Sequence, residues 1–260
     1  MLSVGRSLSK PPPLYNFEFA GSALINGNKN ISRVVSDATT DLVPYDVGSY
    51  TEKDYSLQFW WKRLTDDSSN STIDVDYKWF DFGHSGQGGI QLVYYDYAGD
   101  NEKIAMIHRN DSGDSSHYSS DVDHNVWYHV VYTYDGSATT GKIYLNGSLD
   151  TTHTSMVVPG PLEDGVMTRS QTLMYADSDN NCNLCEMAFW KEKVLSATDV
   201  SNLYNSGNGL DARYMSSDNL VGYWKLDPSN TTDSLGVKDY STTGFDMTAT
   251  AGITFGTTTP

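Results

Sequence analysis

Positive charge is scarce in this sequence. Its 260 residues carry 17 Lys and Arg against 33 Asp and Glu, so the formal charge is −16 at pH 7. Proteins that bind nucleic acid or anionic lipid surfaces need clustered Lys and Arg to displace counterions from phosphates. The charge balance therefore argues against both kinds of partner. It fits solubility in salt or the binding of divalent cations better.

Cysteine is almost absent, with only Cys182 and Cys185 in a C-x-x-C arrangement. A zinc site with four cysteine ligands would need a second pair. The flanking residues, NCNLCEMAFW, are typical of a β-strand, in which residues three apart face opposite sides. We therefore expect two ordinary strand cysteines rather than a disulfide or a redox pair.

Long apolar runs are missing as well. No stretch of about 18 apolar residues exists, so we expect no membrane-spanning helix. The first ten residues lack the apolar core of a secretory signal peptide. Three prolines follow at 11–13 and favour an extended, semi-rigid conformation. We predict an N-terminal arm at 1–13, one domain at 14–256 and a loose tail at 257–260.

Alternation of apolar and polar residues is abundant. In YSLQFWWKR at 55–63, Tyr55, Leu57, Phe59 and Trp61 occupy alternate positions, as in a strand with one buried face. Similar segments predict strands at 15–19, 78–82, 89–95, 103–109, 126–134, 142–145, 172–175, 184–190 and 220–226. Many short strands at regular spacing predict an all-β sandwich or barrel.

Two local signals stand out from this pattern. Asn146-Gly147 suits a two-residue type I′ hairpin turn, in which both residues need positive φ. At 196–206, Ser196 followed by Asp199 is typical of a helix N-terminal capping box. Gly207 lies where the left-handed residue that ends a helix is expected, so we predict one short helix here.

Four segments together resemble the laminin-G-like family of concanavalin A-like jelly-roll domains. They are YSLQFWWKR at 55–63, VWYHVVYTYDGSATTGKIYLNG at 126–147, LCEMAFWKEKVLSATDVSNLYNSGNG at 184–209 and NLVGYWKLD at 219–227. They are similar to the family's early strand, its Tyr-Asp-Gly hairpin, its late strand with the following helix, and its closing strand. The resemblance covers nearly the whole chain. It implies an all-β, two-sheet antiparallel jelly-roll sandwich with one short helix.

The closing segment and the following KDYSTTGFDMTAT also look like laminin-G-type proteins of marine bacteriophages. Such proteins are virion surface components: capsid decoration proteins, fibres or appendages. This resemblance implies a non-enzymatic virion protein whose arm at 1–13 docks on other virion proteins and whose jelly roll binds host glycans. We expect further copies of the chain as partners, and neither nucleic acid nor membrane. The alternative is a Ca²⁺-dependent lectin outside a virion, extracellular or on a cell surface.

A glycoside hydrolase is a further alternative, because the same sandwich hosts glucanases. Hydrolysis needs two carboxylates about 5–9.5 Å apart across the scissile bond. Resemblance to the laminarinase-like branch would place them on one strand as E-x-D-x-x-E, and this motif does not occur. Neither a G-x-S-x-G motif nor a P-loop is present. We therefore expect no enzyme activity.

The sequence favours calcium binding over hydrolysis. Asp177 and Asp179 precede the strand that carries Glu186 and offer the hard oxygen ligands that Ca²⁺ prefers. Members of the resembled family often bind calcium near this strand, so we predict a Ca²⁺ site formed by Asp177, Asp179 and Glu186. Where the family has an Asp-Glu pair, this chain has Cys185-Glu186, so one acceptor is missing. The alternative is a solvated turn, since Asp and Asn are common turn residues.

Carbohydrate binding needs aromatic faces with hydrogen-bonding side chains beside them. Trp60 and Gln58 alternate with the buried positions of their strand, so we expect both to point to solvent. Tyr94, Tyr95 and Tyr97 form a second aromatic cluster. These five are the predicted ligand-binding residues. The alternative is that sandwich edges expose tyrosines routinely.

Overall fold

The computed structural model describes residues 17–26, 29–35, 54–64, 74–84, 88–96, 102–110, 113–159, 169–176, 181–230 and 236–260. The predicted arm at 1–13 lies outside them. Their backbone is dominated by antiparallel strands in two sheets, as the alternation predicts. Within these ranges, no helix is long and apolar enough to cross a bilayer.

Sheet A contains the strand with the strongest alternation. Its strands are β1 (Ser22–Asn26), β3 (Tyr55–Arg63), β8 (Tyr128–Asp135), β9 (Thr140–Leu145), β10 (Ser148–His153), β12 (Asn181–Lys191), β13 (Leu220–Trp224) and β16 (Thr254–Gly256). Their order is β10-β9-β8-β3-β12-β1-β16, with β13 also paired to β12.

Sheet B faces it. Its strands are β2 (Lys29–Val35), β4 (Asp74–His84), β5 (Gly88–Asp96), β6 (Lys103–Asn110), β7 (Gly113–Asp121), β11 (Arg169–Ala176), β14 (Gly236–Val237) and β15 (Met247–Ala249). Their order is β14-β15-β2-β11-β4-β5-β6-β7. Strands far apart in sequence are therefore neighbours in both sheets.

The main core lies between the two sheets. Tyr55, Leu57, Phe59 and Trp61 of β3 are fully buried in it, as predicted. The centroid of the Phe59 ring lies 4.8 Å from that of Trp79 on β4, across the interface. Aromatic pairs of this kind contribute about 0.5–1.5 kcal/mol beyond the burial of their area.

A bulge in β12 shifts its alternation by one residue. Cys182 and Leu184 face the core before the bulge, and Met187 and Phe189 face it afterwards. Glu186 lies between them with a φ of +54°. The same edge of β12 pairs with β1 before the bulge and with β13 after it. Bulges re-aim side chains, and here the Glu186 side chain meets Tyr223, which packs on the outer face of sheet A.

Both cysteines are free and buried in β12, as expected of strand cysteines. Burial raises the pKa of the Cys182 and Cys185 thiols above the ordinary value. Raised pKa values keep the thiols protonated and unreactive at neutral pH.

The predicted helix is present as α1 (Ala197–Tyr204). Ser196 and Asp199 form the predicted capping box, with Ser196 Oγ accepting from Asp199 N and an Asp199 carboxylate oxygen accepting from Ser196 N. The predicted end at Gly207 is wrong, because the left-handed residue that closes the helix is Asn205, with φ +48°. The Asn205 side-chain amide donates to the carbonyl of Gly209, four residues further on, at 2.9 Å. The left-handed residue therefore lies two positions before the predicted one.

A second, smaller core covers the outer face of sheet A. Val200 and Leu203 of α1 are buried there. They join side chains from the sheet and from the segments on either side of the helix: Val131, Tyr144, Ala188, Trp190, Leu195, Ala212, Leu220 and Tyr223. Sheet A is thus covered on both faces over this area.

The strand predicted at 15–19 is wrong over its described part. Residues 17–20 precede β1 and belong to no strand, and Tyr15 lies outside the described residues. The edge of the Phe19 ring instead packs on Trp60 of β3, with 5.1 Å between the ring centroids. This segment thus covers part of the outer face of sheet A without forming a strand.

The Asn146-Gly147 turn between β9 and β10 is confirmed. Both residues have positive φ, +50° and +78°, as a type I′ turn requires. The Asn146 side chain accepts a hydrogen bond from the backbone N–H of His129 at 3.0 Å. A Cβ added at Gly147 would lie 2.7 Å from the ring of Tyr204 in α1, so the turn also limits how closely the helix packs.

We expect Gly147→Ala to destabilise the protein by at least about 1 kcal/mol more than Gly244→Ala. Both glycines have similar positive φ values, +78° and +71°, so the backbone strain is matched. A Cβ at Gly244 meets nothing within 4 Å, whereas one at Gly147 collides with Tyr204. Urea unfolding of both variants measures the difference, and equal losses would contradict the steric role of the turn.

Candidate functional site

Trp60 and Gln58 lie on the outer face of β3, as alternation predicts, but they are not open to solvent. Trp60 is 3% exposed and Gln58 is 1% exposed. The Trp60 ring contacts Phe19, His129 and Tyr204, with centroid distances of 5.1, 4.9 and 5.7 Å. The expectation of solvent exposure is therefore wrong, because the segment before β1 and helix α1 cover this part of the sheet. Contact of these two residues with a ligand would require that cover to open.

The second predicted cluster is divided by the fold. Tyr94 is fully buried in the core, where its hydroxyl accepts a hydrogen bond from Arg63. Burial raises the pKa of Tyr94 above the ordinary value. The Tyr95 side chain and Tyr97 lie outside what the structure describes. Ligand binding by the last two remains a prediction.

A row of half-open side chains crosses the outer face of sheet A beside the covered area. Lys62 lies on β3, and its Nζ is 5.3 Å from the centroid of the Trp127 ring, which precedes β8. Lys62 pairs with Asn183 of β12, Asn183 with Leu24 of β1, and Leu24 with Thr254 of β16. We call these five residues the Trp127 row.

Strand alternation places the whole row on one face. Ala23 and Ile25 on either side of Leu24 face the core, as do Trp61 beside Lys62 and Leu184 beside Asn183. Trp127, Lys62 and Leu24 are partly exposed, Thr254 is exposed, and Asn183 is buried at the floor. With about 4.8 Å between neighbouring strands, the row spans roughly 19 Å.

The chemistry of the Trp127 row suits a neutral, hydroxylated ligand. An aromatic ring can stack on an apolar face, and the Lys, Asn and Thr side chains offer hydrogen bonds to hydroxyl groups. The indole Nε1 of Trp127 is buried and has no hydrogen-bond partner. The row contains no carboxylate, so it lacks the pair of carboxyl groups that glycoside hydrolysis uses.

A buried charge cluster lies at the same end of β3, on the core side. Arg63 is fully buried and its Nη1 donates to Glu102 Oε1 at 3.1 Å. The same carboxylate oxygen lies 2.7 Å from His124 Nε2. Glu102 and His124 are 15% and 22% exposed, so the cluster runs from the core to the surface. It anchors the loop before β8 that carries Trp127, since Asn125 N also donates to the Arg63 carbonyl at 2.8 Å.

The predicted calcium ligands are not brought together by the described residues. Asp177 and Asp179 lie outside them, whereas Glu186 is 3% exposed and accepts a hydrogen bond from the Tyr223 hydroxyl. Roughly 16 Å of extended strand, at about 3.3 Å per residue, separates Glu186 from Asn181 at the start of β12. This placement does not support Glu186 as a partner of the other two. Calcium binding by Asp177 and Asp179 remains a prediction.

Glu186 is better described as a buried structural acid. Burial raises the pKa of its carboxyl to about 8, against the lowering effects of the Tyr223 hydroxyl and of Lys225. The group is thus largely protonated at pH 7, which is the form least suited to binding Ca²⁺. Over the parts of the chain that the structure covers, no three His, Cys, Asp or Glu side chains are grouped closely enough to hold a metal ion.

Comparison with known proteins identifies the fold family. The sequence model of the concanavalin A-like lectin/glucanases superfamily (Laminin_G_3) matches residues 37–201. The chain belongs to this superfamily. The family confirms the jelly-roll sandwich that the four sequence segments implied. No curated protein sequence matches the chain.

Among solved structures, a candidate carbohydrate-binding protein from Bacteroides ovatus is similar, with a TM-score of 0.55 and 16% identity over 92% of this chain. This chain spans 60% of that protein. A pentraxin from Limulus polyphemus has a TM-score of 0.43 at 13% identity, covering 75% of this chain and 86% of its own. A sialidase carbohydrate-binding module from Ruminococcus gnavus, bound to sialyllactose, has a TM-score of 0.41 at 12% identity, covering 72% and 96%. The first supports the fold, and the other two are too distant to carry an argument.

We expect Arg63→Gln to cost about 3 kcal/mol or more of unfolding free energy, because it breaks an ion pair whose guanidinium is fully buried. The matched control is Arg109→Gln, which breaks a pair of the same 3.1 Å length to Asp114 with side chains 31% and 54% exposed. Exposed pairs contribute about 0–1 kcal/mol. Urea unfolding measures both, and similar losses would contradict the structural importance assigned to the Arg63 cluster.

Proposed function

We propose that this protein is a non-enzymatic glycan-binding module and that the Trp127 row is its sugar-binding surface. The observation that carries the proposal is the row itself: an aromatic ring, a cation and two neutral polar side chains aligned on one sheet face of a lectin-superfamily fold. The likeness to a candidate carbohydrate-binding protein from Bacteroides ovatus is consistent with it. A length of roughly 19 Å accommodates several sugar rings rather than one.

Binding without hydrolysis follows from the same residues. Glycoside hydrolysis needs two accessible carboxyl groups on opposite sides of the bond, and the row supplies neither. Glu186 has the raised pKa of a general acid, but it lies beneath the surface against Tyr223. A sugar on the Trp127 row therefore meets hydrogen-bonding side chains and a stacking surface but no carboxyl group.

On a glycan array, we expect the full chain to bind a subset of neutral oligosaccharides. Trp127→Ala should weaken the best of these by at least about tenfold, or about 1.4 kcal/mol, because it removes the stacking surface. Tyr214→Ala is the matched control, since Tyr214 is an aromatic residue 56% exposed outside the row, and its loss should leave binding unchanged.

Two results would count against this proposal. Absence of binding to any glycan would overturn the function, and binding unaffected by Trp127→Ala would overturn the site. Repeating the array in EDTA and then with Ca²⁺ restored tests our further proposal that Asp177 and Asp179 hold a calcium ion. Binding that is lost in EDTA and returns with Ca²⁺ supports that ion, and EDTA-insensitive binding removes it from the mechanism.

We propose a narrower setting for this module on the surface of a phage particle, with the arm at 1–13 docking on other virion proteins and the sandwich projecting outward. The support is the resemblance of the segments at 219–227 and 238–250 to laminin-G-type virion proteins. A deletion of residues 1–13 should abolish incorporation into particles while glycan binding and thermal stability stay unchanged. Normal incorporation of the truncated chain would contradict docking through the arm and would leave an extracellular or cell-surface lectin as the setting.

A further inference from the structure

The outermost strands of the two sheets meet along one side of the sandwich. β7 is the edge of sheet B and β10 is the edge of sheet A. The two are joined where Ser120 N donates a hydrogen bond to Asp150 Oδ2 at 2.8 Å. We call this line of contact the β7–β10 seam. Edge strands usually carry features that prevent them from pairing with another chain, and inward-pointing charged residues are one of these features. The inward-facing residues of the seam therefore bear on how the two edges are protected.

Two histidines face each other across the seam. His117 of β7 pairs with Met106, a core residue of β6, so it points inward. On β10, Thr151 pairs with the core residue Ile143, and His153, two residues further on, shares its face. The centroids of the His117 and His153 rings are 4.2 Å apart, and the rings are inclined by 46°.

One ring nitrogen of each histidine lacks a hydrogen-bond partner. Nε2 of His117 and Nε2 of His153 are both buried, and neither makes a hydrogen bond. Oγ1 of Thr151, on the same face as His153, is also buried without a partner. A buried polar atom that makes no hydrogen bond costs about 1–3 kcal/mol, so three such atoms along one seam call for an explanation.

The tautomer of the neutral His153 ring is set by the backbone. Its ring donates a hydrogen bond to the Tyr118 carbonyl, and because Nε2 has no partner, the donor is Nδ1. In the neutral ring Nε2 is therefore unprotonated. Histidines that ligate metals generally donate their other N–H to a carbonyl or carboxylate in this way, which fixes ring orientation and tautomer.

We propose that His117 and His153 bind one borderline divalent cation, of which Zn²⁺ is the probe, through their two Nε2 atoms. Imidazole nitrogen suits Zn²⁺, Cu²⁺ and Ni²⁺, whereas Ca²⁺ and Mg²⁺ prefer oxygen. With two protein ligands, water completes the tetrahedron that Zn²⁺ favours, and Thr151 Oγ1 lies on the right face to hydrogen-bond such a water.

Binding at this site would join the two sheets. His117 belongs to sheet B and His153 to sheet A, and the edge strands are otherwise held by a few contacts such as Ser120 to Asp150. A ligand that binds only the folded state raises stability by mass action. The site is distinct from the Trp127 row, so it stands whether or not the protein binds glycans.

The test is thermal unfolding and isothermal titration of the full chain after EDTA treatment and dialysis. We expect Zn²⁺ to bind with one-to-one stoichiometry and to raise the melting temperature, while Ca²⁺ at the same concentration does not act at this site. His117→Gln and His153→Gln should each weaken Zn²⁺ binding by at least about tenfold, since even the loss of an outer-shell partner costs 10–100-fold. Thr152→Ala is the control, because Thr152 is exposed on the opposite face of the same strand and its variant should bind Zn²⁺ normally.

Three outcomes would overturn the proposal: no Zn²⁺ response of the wild-type protein, a wild-type response in either histidine variant, or a response that is lost in His124→Gln instead. The last would place the ion beside Glu102, at the Arg63 cluster. If a histidine variant fails to fold, imidazole ¹⁵N resonances of the wild-type protein give the answer. One equivalent of Zn²⁺ must shift the Nε2 signals of two histidines, and a shift of none, or of His124, rejects the site.

Discussion

Burial of aromatic side chains between two antiparallel sheets is the interaction on which the rest of this structure depends. Because successive side chains of a strand point to opposite faces, each strand that contributes a ring to the interior must offer its other residues to the outside. On β3 the inward set includes Phe59 and Trp61, which meet Trp79 of the opposite sheet. This single constraint determines which residues are available for every other role.

A second layer covers part of the outward-facing residues of sheet A. Helix α1 and Phe19, which precedes β1, pack on the outer face, so that Trp60 is buried beneath them rather than exposed to solvent. The open surface begins one row further along the strands, at Lys62 and Trp127. The position of the proposed glycan-binding surface is therefore a consequence of where the helix stops covering the sheet.

The buried polar groups fall into two classes, those with hydrogen-bond partners and those without. Arg63 and Glu186 are buried, and both have hydrogen-bond partners. Arg63 donates to Glu102 and Tyr94, and Glu186 accepts from Tyr223. Along the β7–β10 seam, His117 and His153 have none for their Nε2 atoms. A buried polar group that has its hydrogen-bond partners stabilises one structure. Two ligating nitrogen atoms without partners are still able to bind a ligand.

Much of the local structure could be predicted from single residues and their spacing. The period-two pattern of β3, the capping box at Ser196 and Asp199, and the Asn146-Gly147 turn depend on contacts within a few residues, and all are confirmed. The segment at 15–19 has the same alternation as β3 and yet forms no strand over its described part. Alternation reveals that one side of a segment is buried, but not whether a neighbouring strand is there to pair with it.

The candidate site shows the same division. Strand alternation alone put Lys62 and Trp60 on one face of β3, and that is where the structure has them. Whether that face is open depends on Phe19 and Tyr204, which lie 41 residues before and 144 residues after Trp60 in the sequence. Trp127 alternates with His129 and Val131, and the sequence pattern does not distinguish it from them. The three differ in exposure only because of how far the helix covers the sheet. The sequence by itself determined which residues share a face, because that is a property of the extended backbone. Only the tertiary structure decided which faces are covered and which histidines meet across the seam, because those contacts join segments that are distant in the chain.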